Sequence, residues 1–228
     1  MCGLYSLRKS EDEVRAAFGY GGEAVLGPRD YVTPGGPMAI VRLERQGLRL
    51  AWVRWGLVPS WIKEIGPGNP LINARSESVV QKPSFRNAMR RRRCLIPADG
   101  FFEWTGDVPG KKQPWHIHRP DGAVFGLAGI WEQWQGADGS EIETAAIITT
   151  AANRTIAAIH DRMPVVIAPE AYALWLDADN VKADEAAALL VPAPERFFVM
   201  EKTIIARSAP PPGPAAPPKV GDGQMKLI

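Results

Sequence analysis

Met38-Ala-Ile-Val-Arg-Leu-Glu44, then Arg45-Gln46-Gly47, then Leu48-Arg-Leu-Ala-Trp-Val-Arg-Trp55 is the stretch on which the fold turns. Two apolar runs flank a Gln-Gly pair, which reads as a β-hairpin. Strand-like runs recur downstream at 94–97, 101–104, 114–118, 124–131 and 142–150, with extended pieces at 164–167 and 197–199. Upstream, residues 1–8 read as an extended start that feeds Leu4 and Leu7 into the core. Ser10 followed by Glu13 is a capping-box signature, and it opens a short helix over 11–18 with Val14 and Phe18 one turn apart. Further helices are expected at 76–82 and 84–92, separated by Pro83, and at 153–159, 170–176 and 184–190. Residues 19–35, 55–61 and 66–70 read as loops. Strands thus predominate in the middle and helices do not alternate with them. The expectation is an α+β fold with a largely antiparallel, barrel-like β core and peripheral helices.

The 228 residues suit one substantial domain, expected over 1–206. Residues 207–228, with the Ala/Pro-rich run 208–218, read as a disordered or polyproline tail. A hydrophobic fraction of 46% and a net charge of +2 describe an ordinary globular chain with no strong overall field. The run Arg90-Arg91-Arg92-Arg93 hints at a local basic surface. Two cysteines make no disulfide framework, and no leader or long apolar run is visible. A cytoplasmic monomer, away from membranes, is the expectation.

The most specific chemistry lies at Met1-Cys2-Gly3. Methionine aminopeptidases generally remove Met1 before a small residue, and Cys2 would then carry a free amine and a thiol. Their ordinary pKa values are about 8 and about 8.5, so both have some nucleophilic form near neutrality. An aldehyde meeting that pair forms an imine with the amine, and the thiol closes onto it as a thiazolidine. An internal Cys cannot do this. The plain alternative is a Cys beside a frayed terminus.

Four other stretches gather reactive groups. Asn73-Ala-Arg75-Ser-Glu77 offers an amide that orients without titrating and a guanidinium that can fork onto phosphate; a helix-capping Asn and a salt-bridged Arg would be the plain alternative. In Asp99-Gly-Phe-Phe-Glu103-Trp104, Glu103 sits among aromatics that would desolvate it and raise its pKa, unless it faces solvent. Ile159-His160-Asp161-Arg162 places an imidazole beside two ionic groups at a turn; a structural His is the usual alternative. Trp115-His116-Ile-His118 puts two imidazoles on one strand face, too few ligands for a metal. Cys94 reads as a buried small hydrophobe. Trp55 and Trp61 could stack on unpaired bases, with Arg86 and the Arg run along phosphates; core or lid tryptophans are the alternative.

Taken in order, Met-Cys2-Gly, Trp55-Gly-Leu-Val-Pro, Asn73-Ala-Arg75-Ser-Glu77, Arg93-Cys-Leu-Ile-Pro97, Gly100-Phe-Phe-Glu103-Trp104, Lys112-Gln-Pro-Trp115, Leu127-Ala-Gly-Ile-Trp131, Thr149-Thr150 with Asn153, and His160-Asp-Arg-Met-Pro164 resemble the SRAP family (SOS response-associated peptidase, or abasic site processing proteins). The resemblance implies that Cys2 crosslinks to abasic sites in single-stranded DNA as the thiazolidine, shielding the lesion. It implies Asn73 as the residue orienting Cys2, Glu103 as acid/base, and His160 as the group assisting ring opening and reversal. Thr149 would give support, and Arg75, Trp55, Arg86 and Arg162 would hold the phosphates and splay the strand, beside the stacking already read for Trp61. It also implies autoproteolytic removal of Met1, a lyase-like release, nucleoid association on damaged DNA, and no cofactor or metal. Two departures touch the DNA side: Leu4 stands where the family often has Arg, and Tyr31 where it often has Asn. The rival readings are an N-terminal-nucleophile glutamine amidotransferase, which shares only Met-Cys-Gly, a non-covalent reader of single-stranded or modified DNA, and a self-cleaving peptidase acting on proteins.

Overall fold

The computed structural model describes residues 2–23, 25–65, 71–106 and 112–205. The opening hairpin is β3 (Pro37–Glu44) and β4 (Gly47–Trp55), paired in continuous register from Pro37↔Arg54 to Glu44↔Gly47. Its turn depends on Gly47, whose φ of 105° is costly for any residue with a Cβ. The antiparallel strands β6 (Arg93–Ala98), β9 (Phe125–Gln135) and β10 (Glu141–Ala151) extend the sheet from β3. A parallel pairing of β10 with β4 then closes a five-stranded mixed barrel. Three short strands lie against it: β5 (Asn73–Arg75) and β11 (Arg162–Pro164) on β10, and β12 (Val166–Ile167) on β9.

A second sheet has the order β13-β8-β7-β1-β2, from β1 (Tyr5–Leu7), β2 (Arg29–Val32), β7 (Gly100–Thr105), β8 (Gln113–His118) and β13 (Val199–Lys202). Alternation along the barrel strands sends side chains to two cores. Ala39, Val41, Leu95, Ile130 and Ile148 join one with Phe18, Met89 and Trp175; Ile40, Cys94, Ile96 and Ile147 join the other with Cys2, Tyr5, Phe101 and Phe198. The second core is the one that holds the site.

Helix α1 (Glu11–Phe18) starts at Ser10 with the full capping box and ends at left-handed Gly19. Helix α2 (Arg86–Arg91) is shorter than expected. The 76–82 segment is not helical but a chain of turns. Its start is drawn into the ladder as β5 and by Ser76 N–H donating to Thr149 O, so only short-range bonds such as Lys82 N to Ser78 O remain. Strands β2 and β5 were not anticipated. Helices α3 (Arg154–Ala157) and α4 (Tyr172–Leu176) fall within the expected stretches, α5 (Ala183–Ala187) overlaps the expected 184–190 but starts one residue earlier and is shorter, and a 3-10 turn at Pro169–Ala171 precedes α4. No helix among the described residues is long and apolar enough to cross a membrane. The expected break at 66–70 and the tail at 207–228 lie outside the described residues.

The arginine run divides by environment. Arg90 and Arg91 are exposed. Arg92 pairs with buried Glu132 at 2.6 Å and lies over the Trp131 ring. Arg93 is buried and donates to four carbonyls, those of Met89, Trp175, Asp177 and Val181, at 2.5–3.1 Å. Backbone acceptors thus replace the carboxylate such a charge would otherwise require.

Candidate active site

Cys2 leads into β1, which runs beside β7; Phe102 N–H donates to Leu4 O at 3.0 Å, and Tyr5 lies opposite Phe101. This register brings Cys2 alongside Glu103. Cys2 is 1% exposed and Glu103 is 3% exposed. Burial, and secondly the Glu103 carboxylate, push the Cys2 thiol well above its ordinary range. Burial also raises the Glu103 pKa, while His160 opposes the rise. The environment therefore favours neutral forms of both groups.

Asn73 arrives by another route. Strand β5 lies parallel on β10, with Asn73 opposite Ile147 and Arg75 opposite Thr149. The preceding carbonyl, Ile72 O, is held by Ile147 N at 3.0 Å and by the Trp55 indole Nε1 at 2.9 Å. From this anchored position Asn73 Nδ2 donates to Cys2 O at 2.9 Å, a contact spanning 71 residues of sequence. Asn73 Oδ1 is buried with no hydrogen-bond partner among the described residues.

His160 follows α3, whose N-terminus is capped by Asn153 Oδ1 accepting from Ile156 N. Its Nδ1 accepts from Arg162 N–H at 2.9 Å and lies 2.9 Å from Asp161 Oδ1. One nitrogen cannot serve both at once. In the neutral ring its lone pair takes the Arg162 N–H and the proton sits on Nε2; once Nδ1 is protonated it pairs with Asp161. His160 thus has a partner in either charge state.

The expected strand contacts fall into two groups. Arg75 and Arg86 are exposed, and Trp61 is 60% exposed. Trp55 is corrected by the structure: it ends β4 in the second core at 0% exposure, packed edge-on against Tyr5 at 5.4 Å, and neither face is open to a base. Arg162 forks onto Glu77 at 2.5 and 2.9 Å and donates to Thr149 O at 2.6 Å. A phosphate would have to displace Glu77 to reach it. Thr149 is buried beneath this latch, and Cys94 is a core residue. Leu4 is buried, and Tyr31 packs on Phe102 at 5.6 Å.

Two participants were missed. Glu77 stood within a quoted motif, but its pairing with Arg162 depends on the β5–β10–β11 ladder. Tyr5 is buried, and its hydroxyl has no hydrogen-bond partner among the described residues. Burial, and next the Cys2 thiol, raise its pKa. A tyrosine three residues after the candidate nucleophile was the available signal. Among the described residues, no three His, Cys, Asp or Glu side chains gather as a metal site.

The family model "SOS response associated peptidase (SRAP)" matches residues 1–204. The abasic site processing protein YoqW of Bacillus subtilis (strain 168) is 36% identical over 195 residues, covering 84% of this chain and 87% of the relative. The abasic site processing protein HMCES of Gallus gallus is 33% identical over 177 residues, 67% of this chain and 52% of that longer relative. A crystal structure of a Bordetella bronchiseptica protein superposes with a TM-score of 0.78 at 29% identity, covering 90% of this chain and all of the other. One from Bacteroides thetaiotaomicron gives 0.77 at 27% identity, covering 88% and 91%. The chain belongs to the SOS response associated peptidase (SRAP) family.

Proposed function

We propose that this protein processes abasic sites in DNA, and that Cys2, once Met1 is removed, captures the lesion covalently in single-stranded DNA. The support from relatives is that several matched proteins are named abasic site processing proteins. The single observation that carries the chemistry is the convergence on Cys2: Asn73 Nδ2 on its carbonyl, and buried Glu103 acting on its thiol.

The Cys2 amine adds to the open-chain sugar aldehyde and gives a carbinolamine. Glu103, held protonated by burial, donates its proton to the departing hydroxyl, so that water leaves and a protonated imine forms beside the Glu103 carboxylate. The thiol then adds to the imine carbon. Its proton passes to the Glu103 carboxylate and the C–N double bond's electrons settle on nitrogen, which keeps the hydrogen it carried in the protonated imine; one water is lost overall. Burial suits this order, because the thiol stays neutral until a base beside it accepts the proton. His160, next to Glu103, supplies or removes a proton on the sugar side and assists reversal. Asn73 fixes the Cys2 backbone against rotation. Arg75, Arg86 and Trp61 hold the strand, and release by reversal accounts for a lyase-like activity. Removal of Met1 by the same residues would account for the peptidase name.

The test is a denaturing gel of purified protein with single-stranded DNA bearing one abasic site. A retained protein–DNA band is expected, and it disappears in Cys2→Ala. Equal adduct yield in Cys2→Ala overturns the reading.

A further inference from the structure

Helix α2 breaks the rules that α1 obeys. In α1 every turn is electrostatically answered: Glu11 pairs with Arg15 and Lys9 with Glu13, both at i,i+4, and three acids occupy the first turn. In α2 there is no capping side chain and no acid in the first turn. Arg86 N–H donates to Lys82 O, so the helical register reaches back to Lys82. Arg86 and Arg90 stand four residues apart in α2, like charges at the spacing where opposite charges would stabilise, and Lys82 lies in the turn just before them. All three, and Arg91 beside them, are exposed, and none has an ion-pair partner among the described residues. Neighbouring Phe85, Ala88 and Met89 point into the core, so the helix cannot roll to spread the charge.

Both ends of this ridge connect to segments that carry residues of the proposed site. At its start, the turns of 76–82 return to β5, which carries Asn73 and Arg75. At its end, Arg92 pairs with Glu132 at 2.6 Å, and Ser60 Oγ donates to the same carboxylate at 3.4 Å, one residue before exposed Trp61. A local conflict maintained between two parts of a site marks a surface shaped for a ligand. Here the ligand must carry regularly spaced negative charge and be long enough to follow a six-residue helix and the turn before it.

We infer that Lys82, Arg86, Arg90 and Arg91 form a track for the phosphodiester backbone of a single nucleic-acid strand that continues past the pocket. The inference rests on the DNA reading above and extends it: the lesion is held at Cys2, and the flanking strand runs along α2. Each phosphate neutralised releases condensed counterions, so the track is written into the salt dependence of binding.

The experiment measures fluorescence anisotropy of a lesion-free single-stranded oligonucleotide over a sodium chloride series, for the full chain and for Arg90→Gln/Arg91→Gln. The slope of log affinity against log salt should become shallower by about 0.7 for each phosphate left without its arginine. The melting temperature should stay level or rise, because like charges have been removed. An unchanged slope in a folded variant overturns the track. So does loss of binding to phosphatidylserine vesicles with DNA binding intact, which would assign the ridge to a membrane surface. If the double variant melts early, Lys82→Gln, which precedes α2, carries the same expectation of about 0.7. Absence of an adduct in the unmodified protein would sink the covalent reading alone, since the salt slope is read without a lesion.

Discussion

The two faces of strand β7 use burial to opposite ends. On one face Phe101 and Glu103 meet Cys2, Asn73 and His160, groups delivered by four separate segments of chain. On the other, Gly100 and Phe102 lie beneath the imidazoles of β8: Phe102, His116 and His118 stack in sequence and Tyr31 tilts against Phe102, with ring centroids 4.7–5.6 Å apart. Arg8, Lys9, Asp99 and Glu201 border that second face. Burial raises the pKa of the acid Glu103 and lowers that of the base His116, to about 4, with Arg8 and His118 adding to the fall. Both become neutral for the same physical reason. The difference is that the first face brings an amide and a carboxyl group onto one nucleophilic residue, whereas the second, though drawn from equally distant sequence, packs rings against one another. Neutrality alone therefore does not mark an active site; convergence does.

Replacing Glu103 by Gln should break the comparison most severely. Adduct formation should slow on the order of 100-fold or more, as for loss of a positioned acid/base. Stability should move the other way. Folded Glu103 keeps a proton that the unfolded chain has already lost, so stability falls as pH rises from the ordinary glutamate value through the raised one. Glu103→Gln should remove that decline and melt higher at neutral pH, which thermal denaturation across pH will show.

Gly100→Ala probes the other face. A Cβ there would sit 2.2 Å from His116 Nε2, and the ring is confined by stacking between Phe102 and His118. The expected cost is about 1–3 kcal/mol in denaturant titration. His116→Phe should be the mildest change. The native imidazole stays neutral down to about 4, whereas in the unfolded chain it protonates near 6.5, so acid costs stability as pH falls through that interval. Phenylalanine continues the stack and should flatten this acid limb, with little change above pH ~7.

The part of this contrast that was legible in sequence is the local part. The hairpin, the capping box and the long barrel strands each declare themselves within a dozen residues, and the aromatics around Glu103 signalled its burial. Strand β5 has three residues and gains its identity only by lying on β10, more than seventy positions away, so no periodicity could reveal it. The contact between Asn73 and Cys2 was accessible only through family resemblance. Trp55 and Trp61 flank the same loop, yet one is sealed under Tyr5 and the other stands in solvent. The four arginines of 90–93 are chemically identical, and only the surrounding fold separates surface charge from buried clasp.

That clasp bears on how the chain is made. Three of the four carbonyls hosting Arg93 lie 82 to 88 residues further along, yet Arg93 begins a barrel strand. During synthesis the guanidinium emerges long before its hosts, and it cannot be sealed into an apolar interior without them. Completion of the barrel must therefore wait for the α4 segment and the residues up to Val181 to leave the ribosome, so its timing is set by a stretch that contributes no strand to it.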